Sequence, residues 1–309
     1  MYVIVGAGAT GSAAARLLAD AGEWVRLVTR RGIGPVHERI ERIPVDAADT
    51  ARLVELAMGA RALFNCAAPP YDRWPAEFPP LAAGMLAAAE QAGADYVMLG
   101  NIYGYGPTDG PVTEDRPMAP SSVKGRVRAR IWDDARTAHD AGRVRVTEVR
   151  ASDFLGAGAA SLFTLTVAPA VLAGTPAVYP GDLDAPHAWS YVGDVARTLV
   201  AAAGHEQSWG RAWHVPSTSQ LSVRELAGRL AAAAGAPAPA LSPLTAAELE
   251  QWGRGDSVLA EVQEMFYLFD RPTLLDASRT RAVLDVDATP LDAVLKEMTA
   301  SPRPSSTCC

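Results

Sequence analysis

Three glycines spaced Gly6-x-Gly8-x-x-Gly11, set between the apolar run Tyr-Val-Ile-Val and an Ala/Leu-rich run, carry the clearest chemistry in this chain. At that spacing Gly6 permits a tight turn off a strand and Gly8 lets the backbone approach a pyrophosphate. Gly11 lets the following helix pack close to the sheet, its N-terminus turned to the phosphates. Ala9 and Thr10 lie in the same loop and join the candidate cofactor contacts. A chain that opens in this way is expected to bind a dinucleotide. The second strand, 24–28, then runs into Thr29-Arg30-Arg31, where a carboxylate would hold a ribose 2′-hydroxyl. Arg30 and Arg31 offer forked donors suited to a 2′-phosphate instead, which favours NADP over NAD.

Proton chemistry has several candidate carriers. Two phenols, Tyr103 and Tyr105, stand in the loop Asn101-Ile102-Tyr103-Gly104-Tyr105-Gly106-Pro107, and either could donate to a substrate oxygen. Of 28 basic residues only Lys124 and Lys296 are lysines, so a lysine here draws attention as a compact, titratable ammonium. His187 follows a proline in a loop and is a candidate proton relay. Ser121 and Ser122 precede a helix, where serines usually cap. Tyr71, Trp74, Asn101, Asp153, His187 and Trp189 are the aromatic and polar residues expected to line a substrate pocket.

These residues need a frame, and the pattern supplies one. Strand-like and helix-like stretches alternate through the first 150 residues, with strands near 2–5, 24–28, 40–45, 61–66, 95–99 and 144–149 and helices between them. Repeated βαβ units with short turns predict an α/β fold, a doubly wound parallel Rossmann sheet with ligands at the carboxyl ends of its strands. Residues 1–150 are read as the dinucleotide-binding domain, with 186–203 returning to it. Residues 151–185 and 204–300 are read as a smaller substrate-binding region, and 301–309 as a polar, Pro-rich tail.

Composition narrows the partners. At 309 residues the chain can bury a large core, and 49% apolar with 20% charged residues is ordinary for a globular protein. A net charge of −7 and the lack of any basic cluster beyond Arg126-Val127-Arg128-Ala129-Arg130 argue against nucleic acid. The three cysteines, Cys66, Cys308 and Cys309, fit neither a disulfide framework nor a metal site. With no basic leader and no run long enough to span a bilayer, the expectation is a cytoplasmic protein without membrane contact, acting on a small molecule.

Taken together the motifs resemble the extended short-chain dehydrogenase/reductase family, of the NAD-dependent epimerase/dehydratase type, over nearly the whole chain. Gly6-Ala7-Gly8-Ala9-Thr10-Gly11 resembles its nucleotide loop, and Val45-Asp46 the strand-end Asp beside the adenine. Asn65-Cys66-Ala67-Ala68 resembles its fourth-strand motif and Ile102-Tyr103-Gly104 its Val-Tyr-Gly. Arg150 to Gly156 is similar to Arg-Pro-x-Asn-x-Tyr-Gly, and Tyr191 to Ala196 to its Val-x-Asp-Val-Ala. The resemblance implies that Asp46, Ala67 and Ala68 contact the cofactor and that Lys124 bonds the nicotinamide ribose. It also points to the helix carrying Lys124 as the interface of a homodimer.

The catalytic positions depart from the family. In its Tyr-x-x-x-Lys pattern the lysine slot holds Lys124 but the tyrosine slot holds Pro120, and the Ser/Thr slot holds Leu99. Gly100-Asn101 replaces the acid pair of its dehydratases, which speaks against dehydration by that route. The leading expectation is an NADP(H)-dependent oxidoreductase acting on a small-molecule carbonyl or alcohol, with Tyr103, Tyr105 and Lys124 as candidate catalytic residues. Two alternatives stay open: a redox-neutral epimerase or isomerase that retains its cofactor, and a non-catalytic NADP(H) or metabolite sensor.

Overall fold

The computed structural model describes residues 1–300, and the tail expected at 301–309 lies outside them. The first half runs β1 (Tyr2–Val5), α1 (Ala9–Asp20), β2 (Val25–Thr29), β3 (Ile40–Pro44), α2 (Thr50–Ala57), β4 (Ala62–Asn65), α3 (Trp74–Ala92), β5 (Asp95–Asn101), α4 (Val123–Asp140) and β6 (Val146–Ala151). The second half runs β7 (Asp153–Leu155), α5 (Ala168–Ala173), β8 (Ala177–Pro180), β9 (Trp189–Tyr191), α6 (Val192–Gly204), β10 (Arg211–His214), α7 (Val223–Ala234), β11 (Leu241–Leu244), α8 (Ala246–Gly253), α9 (Ser257–Gln263), α10 (Ser278–Leu284) and α11 (Leu291–Ala300).

Seven parallel strands form the central sheet in the order β10-β6-β5-β4-β1-β2-β3. This is the doubly wound Rossmann-type α/β fold. Both faces are covered, which is why β1, β4 and β6 are buried at every position; β1 reads as a continuous rather than alternating apolar run, and β6 also buries Thr147, Glu148 and Arg150. On one face Leu53, Phe78, Met85, Ile131 and Trp132 join α2, α3 and α4 to the sheet. On the other, Ala14, Ala15 and Leu18 of α1 meet Val195 and Leu199 of α6. The strand order reverses between β1 and β4, so the crevice for a ligand opens beyond their carboxyl ends.

The second half has its own core, built from Phe163, Tyr179, Trp189, Leu226, Leu249, Leu268 and Val294. Its strands pair among themselves, β7 with β9 and β8 with β11. The segment expected to return to the main sheet, 186–203, therefore does so only through α6, because its strand pairs with β7. The returning strand is β10, which adds beside β6 and lies past 203. Its four residues, Arg-Ala-Trp-His, are too few to show a period. No helix among the described residues is long and apolar enough to cross a membrane.

Candidate functional site

The glycine loop has the geometry its spacing implies. Gly6 sits at φ 103°, and a Cβ there would come within 2.6 Å of the Cys66 carbonyl oxygen. A Cβ on Gly11 would lie 2.0 Å from the Gly6 carbonyl oxygen, so α1 can approach the sheet only without one. Gly8 differs: a Cβ there meets nothing within 4 Å. Gly8 also N-caps the 12-residue α1 with no side chain over the first-turn amides. Open space in front of uncapped amides at Gly8, Ala9, Thr10 and Gly11 fits an anionic diphosphate.

Arg30 and Arg31 follow β2 directly, and both are exposed. Among the described residues neither makes an ion pair, whereas most other arginines of the chain have a carboxylate partner. Asp46 is exposed just past β3, its carboxylate accepting the Ala48 amide at 3.0 Å in a local turn. Ala67 and Ala68 follow β4, the first half-buried and the second exposed. All of these stand at the carboxyl edge where the strand order reverses.

A second group gathers around Tyr71 and Tyr103. The two phenols act on one another, and burial pushes both well above the ordinary range, so both are protonated at neutral pH. The ammonium of Lys124 sits 4.3 Å from the centroid of the Tyr71 ring. Lys124 is completely buried, and its Nζ donates to Glu261 and, at 3.1 Å, to Glu264. Glu264 also accepts from the Val123 and Lys124 amides, so one carboxylate caps α4 and holds its lysine. Asp153 completes the group, its Oδ2 lying 3.0 Å from Nε2 of the buried His187.

Other candidates shape this site from behind. Trp74 is buried, its ring under the Arg128 guanidinium at 4.7 Å and its Nε1 donating to the Pro69 carbonyl. Asn101 is buried and accepts the Tyr103 amide at 3.2 Å, which fixes the start of the tyrosine turn. Trp189 has no exposed surface; it packs on Phe163 and His187 and donates to the Leu221 carbonyl. Ser122 N-caps α4 through the Gly125 amide.

Tyr105 lies apart from the cleft. Its hydroxyl accepts from Arg150 at 2.6 Å and donates to His214 Nε2 at 2.7 Å, and Arg150 in turn pairs with buried Glu148. The other ring nitrogen of His214 donates to the Asp276 carbonyl at 2.9 Å, so His214 is neutral and Nε2 is free to accept. In this arrangement the Tyr105 hydroxyl braces β5, β6 and β10 and does not face Tyr71 or Lys124.

Four residues of the site were not expected there from the sequence, Arg128 having been noted only as part of a basic cluster. Arg128, one helical turn beyond Lys124, stacks on Trp74 and Phe78 and donates to the Leu99 carbonyl at 3.0 Å. The i,i+4 spacing from Lys124 was a usable signal for it. Glu261, Glu264 and Tyr179 approach from segments far along the chain, and no local pattern announces them.

The sequence pattern of the NAD dependent epimerase/dehydratase family matches residues 2–215, a span that includes the glycine loop, Tyr103 and Lys124. The chain belongs to that family. Its relatives are enzymes, and the uncapped glycine loop and cleft of this member sit where the family pattern applies. No curated protein matches the chain. Among solved structures, MoeE5 in complex with UDP-glucuronic acid and NAD superposes with a TM-score of 0.78 at 23% identity, covering 96% of each chain. UDP-glucuronic acid 4-epimerase from Bacillus cereus, in complex with NAD, has a TM-score of 0.78 at 19% identity over 96% of this chain and 97% of its own. The DesIV dTDP-glucose 4,6-dehydratase double mutant from Streptomyces venezuelae, with NAD and DAU bound, has a TM-score of 0.76 at 21% identity over 97% and 95%. At these identities the likeness speaks for the shared fold.

Proposed function

We propose that this family member is an NADP(H)-dependent oxidoreductase that interconverts a small-molecule carbonyl and its alcohol, with Tyr103 as proton donor. The observation that carries the reading is the meeting of a phenol pair with an ammonium: the Tyr71 ring lies under Lys124 and its phenol acts on that of Tyr103, while Pro120 stands in the slot read as the family's tyrosine. When bound, the nicotinamide supplies the hydride. The Gly6–Gly11 loop and the α1 amides would hold its diphosphate, and Arg30 and Arg31 its 2′-phosphate. The neighbours named with NAD leave room for NAD binding, and the unpaired arginines favour NADP.

The chain's own residues then manage the proton. A phenol held protonated by burial is poised as an acid, so Tyr103 donates to the oxygen of a carbonyl as that oxygen gains charge. Tyr71 keeps the donor oriented and can pass a proton to replace the one lost. Lys124, gripped by Glu261 and Glu264, is free for the nicotinamide ribose only after the segment carrying those glutamates shifts.

A redox-neutral epimerisation is the second reading, and family membership favours it. Stoichiometry separates the two. Purified protein incubated with NADPH and a panel of ketones is expected to consume one NADPH per alcohol formed. Tightly retained nicotinamide with no net consumption, alongside inversion of a substrate carbinol, would transfer the function to the epimerase. Cofactor binding with neither activity would leave a sensor.

A further inference from the structure

We propose that the substrate is an uncharged, hydroxyl-bearing molecule read by Tyr179 together with Tyr71, Tyr103 and Asp153, and that it carries no nucleoside diphosphate. This inference rests on the oxidoreductase reading above.

Tyr179, on β8, is 1% exposed, and its hydroxyl has no hydrogen-bond partner among the described residues. A buried hydroxyl without a partner is costly, and native interiors rarely keep one without a use. Tyr71 and Tyr103 pack against the same buried cluster as Tyr179, and the charge of Asp153 acts on its hydroxyl. Its ring packs edge-on against Phe269, with centroids 5.6 Å apart. Phe269 lies five residues past Glu264, so the stretch that holds Lys124 continues into the ring that covers Tyr179. Three phenol donors and one carboxylate acceptor then converge, an array that suits the hydroxyls of a neutral polyol-like molecule.

Charge weighs against the alternative. Residues 151–185 and 204–300 together hold 16 acidic and 8 basic residues, a net −8, although the whole chain carries −7. The stretch 151–185 contains no lysine or arginine. Two cations reach the cluster from the other half: Lys124, held by two carboxylates, and Arg128, which stacks on two aromatic rings and donates to a carbonyl while its buried Nε has no partner among the described residues. Once Glu261 and Glu264 release it, Lys124 is committed to the nicotinamide ribose, so a diphosphate would enter a region of net −8 beside Asp153 with only the buried Arg128 to meet it, an arrangement of charges that disfavours it.

Two measurements test this on the full-length protein. NADP⁺-saturated protein is titrated calorimetrically with UDP and with UDP-glucose, and no binding tighter than about 1 mM is expected. Binding of either probe below that value overturns the phosphate-free class. The melting temperature of Tyr179→Phe is measured without ligand, and the variant should melt about 2 °C or more above the natural protein, because it loses an unpaired buried hydroxyl. A variant that melts at or below the natural protein overturns the role of Tyr179. Titration of NADP⁺ into the same preparation keeps the two proposals apart, since failure there removes the oxidoreductase reading while the UDP result still judges the cleft.

Discussion

Replacing Tyr105 and Tyr103 separately by Phe should divide stability from chemistry, although the two residues are neighbours in one turn. In Tyr105→Phe, Arg150 loses an acceptor at 2.6 Å and His214 Nε2 loses a donor at 2.7 Å, both in a region where Tyr105 is 1% exposed. A hydrogen bond to a charged group is worth about 1.5–3 kcal/mol and a neutral one about 1 kcal/mol, and Arg150 keeps Glu148, so a net loss of about 2–4 kcal/mol follows. Urea unfolding should register it as a lower midpoint at unchanged m-value. Turnover measured well below the transition should remain within about twofold, because no reacting atom is touched. Tyr103→Phe should reverse the pattern. Its hydroxyl has only the half-buried Tyr71 phenol acting on it, so stability falls by at most about 1 kcal/mol, while loss of a general acid lowers turnover by about 10²- to 10⁴-fold. If Tyr105→Phe instead abolishes turnover in a protein of normal stability, the brace assignment and the choice of Tyr103 both fail.

Burial lowers the pKa of His214 from 6.5 to about 4, so between those values the unfolded chain binds the proton and the folded chain does not. This contribution to stability is complete above pH 6.5 and falls by about 3 kcal/mol as pH drops to 4; His214→Gln should flatten that slope in pH-dependent urea titrations. Arg30→Ala with Arg31→Ala should weaken NADP⁺ binding about tenfold and leave NAD⁺ unchanged by calorimetry; an unaltered preference would show the two arginines to be mere surface charge. Lys124→Met removes the cation that Glu261 and Glu264 grip, so limited proteolysis near residues 253–264 should accelerate and kcat/KM should fall at least about tenfold. Equal cleavage rates would mean that apolar packing alone holds that segment.

The fold class was legible in the sequence because its causes are local. A glycine loop between an apolar strand and an alanine-rich helix, followed by alternating strand and helix patterns, depends on spacings of a few residues, and six of the seven strands of the parallel sheet follow from them. The edge strand β10 was not legible, since four residues hold no period and only pairing with β6 makes them a strand. The site divides in the same way. Gly6, Gly8, Gly11, Arg30 and Arg31 sit next to the strands that orient them, and their chemistry could be read from residue type and position. Tyr103 could be preferred to Tyr105 only for standing closer to the fifth strand, because both lie in one glycine-rich turn. Tertiary packing sends one hydroxyl to Tyr71 and the other to Arg150 and His214. Nor could Lys124 be matched to Glu261 and Glu264, which lie 137 and 140 residues away. Sequence encodes such a pairing only through the whole folded core, because charges that distant meet when burial of apolar surface brings their elements together, and no local pattern records the meeting.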